Sequence, residues 1–197
     1  MPLEELGLTW TQPNFDDRRW IDARTGVGLE RSRGYESLFG KNGNLTRAMY
    51  GINASVYVRL PFSLTDLNAS AKWTLRMKFD DGFVTYLNGH QVAQANAPRN
   101  LRFNSGAVAD NPDPSAILFK DFDISQHANH LGNNVLAIHG LNGGSASSDL
   151  LILPELHSFT PQETTLGTVG YLPEPTPGEL NGASYQGFLR KPCLSRC

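Results

Sequence analysis

Along the middle of the chain, apolar and polar positions alternate with a period of two. In residues 54–62, Val56, Val58, Leu60 and Phe62 fall on one face and Tyr57 and Arg59 on the other, which is the pattern of a half-buried strand. Pro61 predicts that this strand ends there or runs at a sheet edge, because proline has no N–H to give to a ladder. Trp73, Leu75, Met77 and Phe79 point inward in the same way while Arg76 and Lys78 point outward. Asp80-Asp81-Gly82 then reads as a tight turn into residues 83–87, and Asn88-Gly89 as a second turn into residues 90–95. Both dipeptides suit the left-handed backbone of short hairpin loops, so the pattern predicts a three-strand meander.

Residues 96–116 form a polar connection rich in Asn, Asp, Pro and Ser, too long for a simple turn and therefore a functional or packed surface loop. Strand pattern returns at residues 117–124, 134–141 and 150–156, with Ser125 placed to cap one helical turn through His130. Residues 8–10 and 26–29 read as short strands among loops. No helix longer than two turns is indicated, and at least seven short strands with turn punctuation predict an all-β fold, an antiparallel two-sheet jelly-roll sandwich over residues 1–160. After Thr160 the run Pro173-Glu-Pro-Thr-Pro-Gly178, followed by Asn181-Gly182, sustains neither sheet nor helix. Residues 161–197 are expected to be an irregular linker and the truncated start of a following domain.

Composition narrows the classes of function. The chain has 197 residues, 40% hydrophobic and 18% charged, which excludes a disordered tail or a long coiled coil and leaves enough apolar material for a core. The formal charge is −2 and no block of like charges occurs, so nucleic acid is not an expected partner. No apolar run approaches membrane-spanning length, and the opening MPLEELGLTW carries acids where a signal peptide has a basic region, so neither membrane insertion nor self-export is expected. Cys193 and Cys197 lie within five residues of each other and cannot staple the body.

Four segments, in order, resemble the galactose-binding-like jelly-roll family used as non-catalytic sugar-binding domains of glycoside hydrolases. They are Phe15-Asp-Asp-Arg-Arg-Trp20, Phe83-Val-Thr-Tyr-Leu-Asn-Gly89, Phe122-Asp-Ile124 and Asn134-Val-Leu-Ala-Ile138. A closer likeness, carried by residues 80–89, 137–142, 147–156 and 175–182, is to a sandwich module in large exported proteins of planctomycete type, where it precedes lamin-tail, spore-coat-kinase-like or hexosaminidase-C-terminal-like domains. The C-terminal residues 187–197 depart from that pattern and resemble the beginning of the next domain cut short. The resemblance implies a polysaccharide or glycan partner, neighbouring domains in a longer parent protein that is secreted or at the cell surface, and a structural calcium site.

Sugar recognition needs flat aromatic surfaces and planar polar groups for vicinal hydroxyls. The candidates are Tyr35, Tyr50 and Tyr57 with Arg31, Arg33, Asn104 and Asn142; the competing reading has the tyrosines covering the sheet and the asparagines capping turns. Trp20 and Trp73 are expected in the core. For Ca2+ or another divalent cation the candidate ligands are Asp16, Asp17, Asp81, Asp149, Glu155 and His139, although Asp-Gly turn chemistry explains Asp80 and Asp81 without a metal. No organic cofactor is expected. Strand alternation puts His139 with Val135, Ala137 and Leu141, as a core-edge histidine. Alternatively His139, Asp81 and Asp149 meet at one end of the sandwich as the catalytic metal site of a small hydrolase acting on an ester or phosphoester. His127 and His130 are expected at the surface. With no nucleophile elbow, zinc-binding helix or phosphate loop present, the leading expectation is a non-catalytic carbohydrate-binding or adhesion module, with the hydrolase and a structural spacer as alternatives.

Overall fold

The computed structural model describes residues 6–66, 71–128 and 130–160; the expected linker and truncated domain at 161–197 lie outside them. Within the described residues eight strands build two four-stranded sheets, all of whose pairs are antiparallel. They are β1 (Val27–Glu30), β2 (Ser55–Leu64), β3 (Lys72–Asp80), β4 (Gly82–Leu87), β5 (His90–Ala95), β6 (Lys120–Asp123), β7 (Gly132–Leu141) and β8 (Asp149–Phe159). One sheet has the order β1-β8-β3-β6 and the other β2-β7-β4-β5. This is the nested order of an eight-stranded jelly roll, and the all-β two-sheet sandwich is as the strand pattern predicts. Among the described residues helix is limited to single turns, α1 (Thr46–Met49) and α2 (Asp113–Ala116), with 3-10 turns at Thr9–Thr11 and Glu36–Leu38.

The period-two residues meet between the sheets. Leu75, Met77 and Phe79 of β3 and Ile152 of β8 face Phe83, Leu87, Leu136 and Ile138 of the other sheet, with Val58, Leu60 and Phe62 of β2 packed against them. Full burial of each such side chain contributes about 1.5–3 kcal/mol. Strand β2 is an edge strand, and Pro61 sits within it opposite Val135. The Asn88-Gly89 turn joins β4 to β5, with φ of 50° and 88° at its two central residues, the conformation that selects this dipeptide. Gly28 in β1 is required for a different reason: a Cβ there would stand 1.9 Å from the Leu150 carbonyl oxygen.

Four expectations are corrected. The meander does not form, because β3 and β4 belong to different sheets and Asp80-Asp81-Gly82 carries the chain across the sandwich. The reason is packing on both sides of the crossing. Phe79 and Phe83 both turn into the core, their rings edge to face with centroids 4.9 Å apart, and the Asp81 N–H donates to the Leu141 carbonyl. Residues 8–10 are a 3-10 turn rather than a strand. The strand expected from 117 begins only at Lys120, since residues 113–118 coil helically after Pro112, leaving Ile117 and Leu118 exposed. Ser125 makes a turn rather than a helix, its hydroxyl serving Asp123 and the Trp73 N–H.

The β2-β7-β4-β5 sheet is covered on its outer face as well. Tyr57, Val84, Tyr86, Ala137 and Leu141 point away from the main core and pack under Trp10, with Phe15 and Trp20 at the margin. Trp10 stacks on Tyr57 at 4.1 Å with their planes 7° apart. Arg59 fixes this N-terminal layer: its side chain is buried, pairs with Asp17 at 2.8 Å and donates to the carbonyls of Trp10 and Gln12. Trp73 is half-buried against the main core.

Candidate functional site

Antiparallel pairing brings the end of β1, the end of β3, the start of β8 and the end of β7 to one rim of the sandwich, with Glu30 opposite Asp149, Asp80 opposite Leu151 and Gly82 opposite Leu141. The loops 31–36, 45–54, 96–116 and 142–148 gather there. Because this rim begins where β3 crosses between sheets, the two aspartates of the crossing are buried rather than solvated.

Tyr35 is buried, and its hydroxyl donates to Asp80 Oδ2 at 2.8 Å. Burial, with the Asp80 carboxylate beside it, raises the Tyr35 hydroxyl well above the ordinary phenol range. Asp81 accepts from the Gly143 N–H at 2.6 Å and the Asn111 N–H at 3.4 Å, so its oxygens bind loops together. Asn111 in turn donates to the Phe79 carbonyl and accepts from Lys120. Glu30 accepts from the Ser32 N–H and hydroxyl and from the Tyr35 N–H.

Carboxylate oxygens of Asp80, Asp113 and Asp149 all lie within 4.8 Å of one another. Desolvation first, and then neighbouring Asp81, pushes Asp80 up to about 8. Asp149 is also raised, by burial and then by the carboxylates of Asp113, Glu30 and Asp81, against the lowering effect of its hydrogen bond with Ser148. Such a group can be neutralised in two ways: a proton held on Asp80, or a hard divalent cation for which the three oxygens supply part of a coordination shell of six to eight.

The expected metal ligands are thus only partly brought together. Asp149 belongs to the acidic group and Asp81 adjoins it, while Asp80 and Asp113 take the places expected of other residues. Asp16 pairs with Arg18 at 2.7 Å, Asp17 with Arg59, and Glu155 with Arg76 at 3.2 Å and His157 at 3.0 Å. His139 is in none of these. It lies on the outer face of its sheet opposite Tyr57 and Val84, edge-on to Trp10 and Tyr57, and it does not join Asp81 and Asp149 in a metal-ligating group among the described residues. Nothing in the sequence marks Asp113 as a partner of Asp80.

The expected sugar ligands also divide. Tyr35 is held inside by Asp80, Tyr57 lies against Trp10, and Asn104 accepts from the Ala54 N–H at 2.8 Å. Asn142 is fully buried and accepts from the Gly143 N–H. Arg33 is exposed in the 31–36 loop. Arg31 and Tyr50 meet: the guanidinium carbon lies 3.9 Å above the centre of a Tyr50 ring that is 37% exposed.

A second concave feature lies on the covered outer face. A cleft of about 290 Å³ is lined by Gly7, Leu8, Trp10, Tyr57, Tyr86, Leu101, Arg102, Phe103 and His139.

No family model and no curated protein matches the chain. Among solved structures it is similar to a calcium-binding mutant of Bacteroides uniformis beta-glucuronidase 2, at 13% identity and a TM-score of 0.43, over 73% of this chain and 16% of that one. It is similar also to a beta-glycosidase from Bacteroides vulgatus, at 12% identity and a TM-score of 0.38, over 77% of this chain and 18% of that one. The chain spans less than a fifth of the length of either.

Proposed function

We propose that this sandwich is a non-catalytic carbohydrate-binding module of the galactose-binding-like kind, presenting its rim loops to a polysaccharide as part of a larger secreted or cell-surface protein. The observation that carries the reading is the Arg31–Tyr50 pair. An exposed aromatic ring offers a sugar its apolar surface, and the guanidinium stacked on that ring offers donors to hydroxyls at its edge. Both residues stand on loops of the same rim: the Arg31 N–H bonds the Ser148 carbonyl and the Gly51 N–H bonds that of Ser145. A Ca2+ ion held by Asp80, Asp113 and Asp149 would tie β3, α2 and β8 together beneath these loops.

The test is retention on insoluble polysaccharides and a glycan array, comparing the full chain with Tyr50→Ala and Arg31→Ala. Both side chains are exposed, so the variants keep the wild-type circular dichroism. Each is expected to lose about tenfold in affinity, the equivalent of 1.4 kcal/mol. Retention that survives both substitutions, or wild-type protein that binds no glycan, overturns the reading and leaves a structural spacer.

A further inference from the structure

The aromatic cleft over the β2-β7-β4-β5 sheet lies apart from the Arg31–Tyr50 pair and has its own chemistry. His139 is 2% exposed and forms part of its wall. Its ring donates to the main chain of Phe103, while Nε2 has no partner in the protein. In a neutral imidazole one nitrogen donates and the other accepts, so the bond to Phe103 leaves Nε2 as an acceptor. Burial drives the histidine down to about 3, which keeps that acceptor available across the physiological range.

A buried acceptor without a partner is rare in folded proteins; this one is closed to water as the side chains stand, so a donor reaches it where the rings over it give way. The remaining walls say what kind of molecule does so. Trp10, Tyr57, Tyr86, Phe103, Leu8 and Leu101 present ring and aliphatic surface, and Arg102 at the exposed side has no carboxylate partner among the described residues. Carbon makes up the larger part of the lining and Arg102 supplies its cation, so a flat ring with a hydroxyl and a negative charge meets more of this surface than a sugar whose hydroxyls face every direction.

We propose that this cleft is a binding site for a small hydroxylated aromatic carboxylate, its ring among Trp10, Tyr57 and Tyr86, its hydroxyl donating to His139 Nε2 and its carboxylate on Arg102. The volume of about 290 Å³ suits one such ring and no oligomer. This site is independent of the glycan reading of the rim.

The test uses the full chain and follows tryptophan fluorescence and equilibrium dialysis with 4-hydroxybenzoate, benzoate, 4-hydroxybenzyl alcohol and glucose. 4-Hydroxybenzoate is expected to quench saturably. Benzoate, which lacks the hydroxyl, and 4-hydroxybenzyl alcohol, which lacks the charge, should each bind about tenfold more weakly, the loss typical of one good hydrogen bond. His139→Phe should abolish the preference for 4-hydroxybenzoate over benzoate. Arg102→Gln, an exposed change that leaves the fold intact, should abolish the preference over the alcohol, and Tyr50→Ala should change nothing. Equal affinity for benzoate and 4-hydroxybenzoate in the wild type, tighter binding of glucose, or no binding of any probe overturns the proposal.

Discussion

Replacing Asp80 by asparagine tests how the acidic rim is neutralised. The carboxamide keeps the shape of the side chain and an oxygen for the Tyr35 hydroxyl, but it removes the group that burial and Asp81 push up to about 8. Because that value lies above the 3.8 of the unfolded chain, the folded state holds a proton that the unfolded state releases. The group's contribution is therefore fully present below about pH 4 and is lost as pH rises through 8. A rise from the ordinary carboxylate range to about 8 sets a ceiling of about 6 kcal/mol, at about 1.36 kcal/mol for each pH unit. Because Asp149 is raised beside it and the proton belongs to the group rather than to one carboxyl, the expected change is about 2–3 kcal/mol. Urea unfolding of wild type and Asp80→Asn at pH 5, 7 and 9 in chelator measures it: the wild type should lose that amount relative to the variant, which should be the more stable at pH 9. Excess calcium should restore the wild type at pH 9, by about 2.7 kcal/mol at a hundred times the dissociation constant, and leave the variant unchanged. A variant less stable than wild type at pH 9 in chelator would refute the account, because the buried carboxylate would then be stabilising in its charged form.

Arg59→Met should destabilise by about 1–3 kcal/mol, since it strands the carbonyl of Trp10, while the exposed Gln12 carbonyl keeps its bond from the Phe15 N–H; the loss of Asp17 counts for little because that carboxylate is 40% exposed. Thermal unfolding of the variant checks this, with blue-shifted emission from Trp10 expected to move red. Gly28→Ala should cost about 3 kcal/mol or more, read as a lowered urea midpoint, because its Cβ would lie 1.9 Å from the Leu150 oxygen. His139→Phe should be close to neutral at pH 7: the Phe103 carbonyl keeps its bond from the Ser55 hydroxyl at 2.7 Å, and the unpartnered Nε2 is gone. Its advantage should grow in acid. The wild-type histidine, held at about 3 in the folded state against 6.5 in the unfolded, costs stability as pH falls through that window, and melting temperatures at pH 7 and pH 4 should show the variant losing less.

Much of the sandwich is legible in the alternation of single strands, as in β2, where four inward residues and Pro61 give both the buried face and the edge position. Asn88-Gly89 is legible because a two-residue turn is a local matter. Asp80-Asp81-Gly82 looks the same in sequence, yet its outcome rests on which partners β3 and β4 find, and those are Leu151 and Leu141, some seventy and sixty residues away. The site residues fail for the same reason. Tyr35 is separated from Asp80 by 45 residues and could not be told from an exposed tyrosine; Asp113 is one more polar residue in a polar loop. Alternation puts His139 on the face it occupies, but the N-terminal residues that roof that face hold only the weak strand signal at 8–10, which folds instead as a 3-10 turn.

That roof changes where the module begins. Counted by strands, it starts at Val27; counted by what keeps water off the β2-β7-β4-β5 sheet, it starts before Trp10. A fragment cut at the first strand would keep every ladder and both sheets, but it would bare Tyr57, Val84, Tyr86, Ala137 and Leu141 as one continuous sticky face and leave Arg59 as a lone cation in the middle of it. For anyone grafting this module onto another protein, residues 6–20 are therefore part of the cargo, and spacers belong upstream of them.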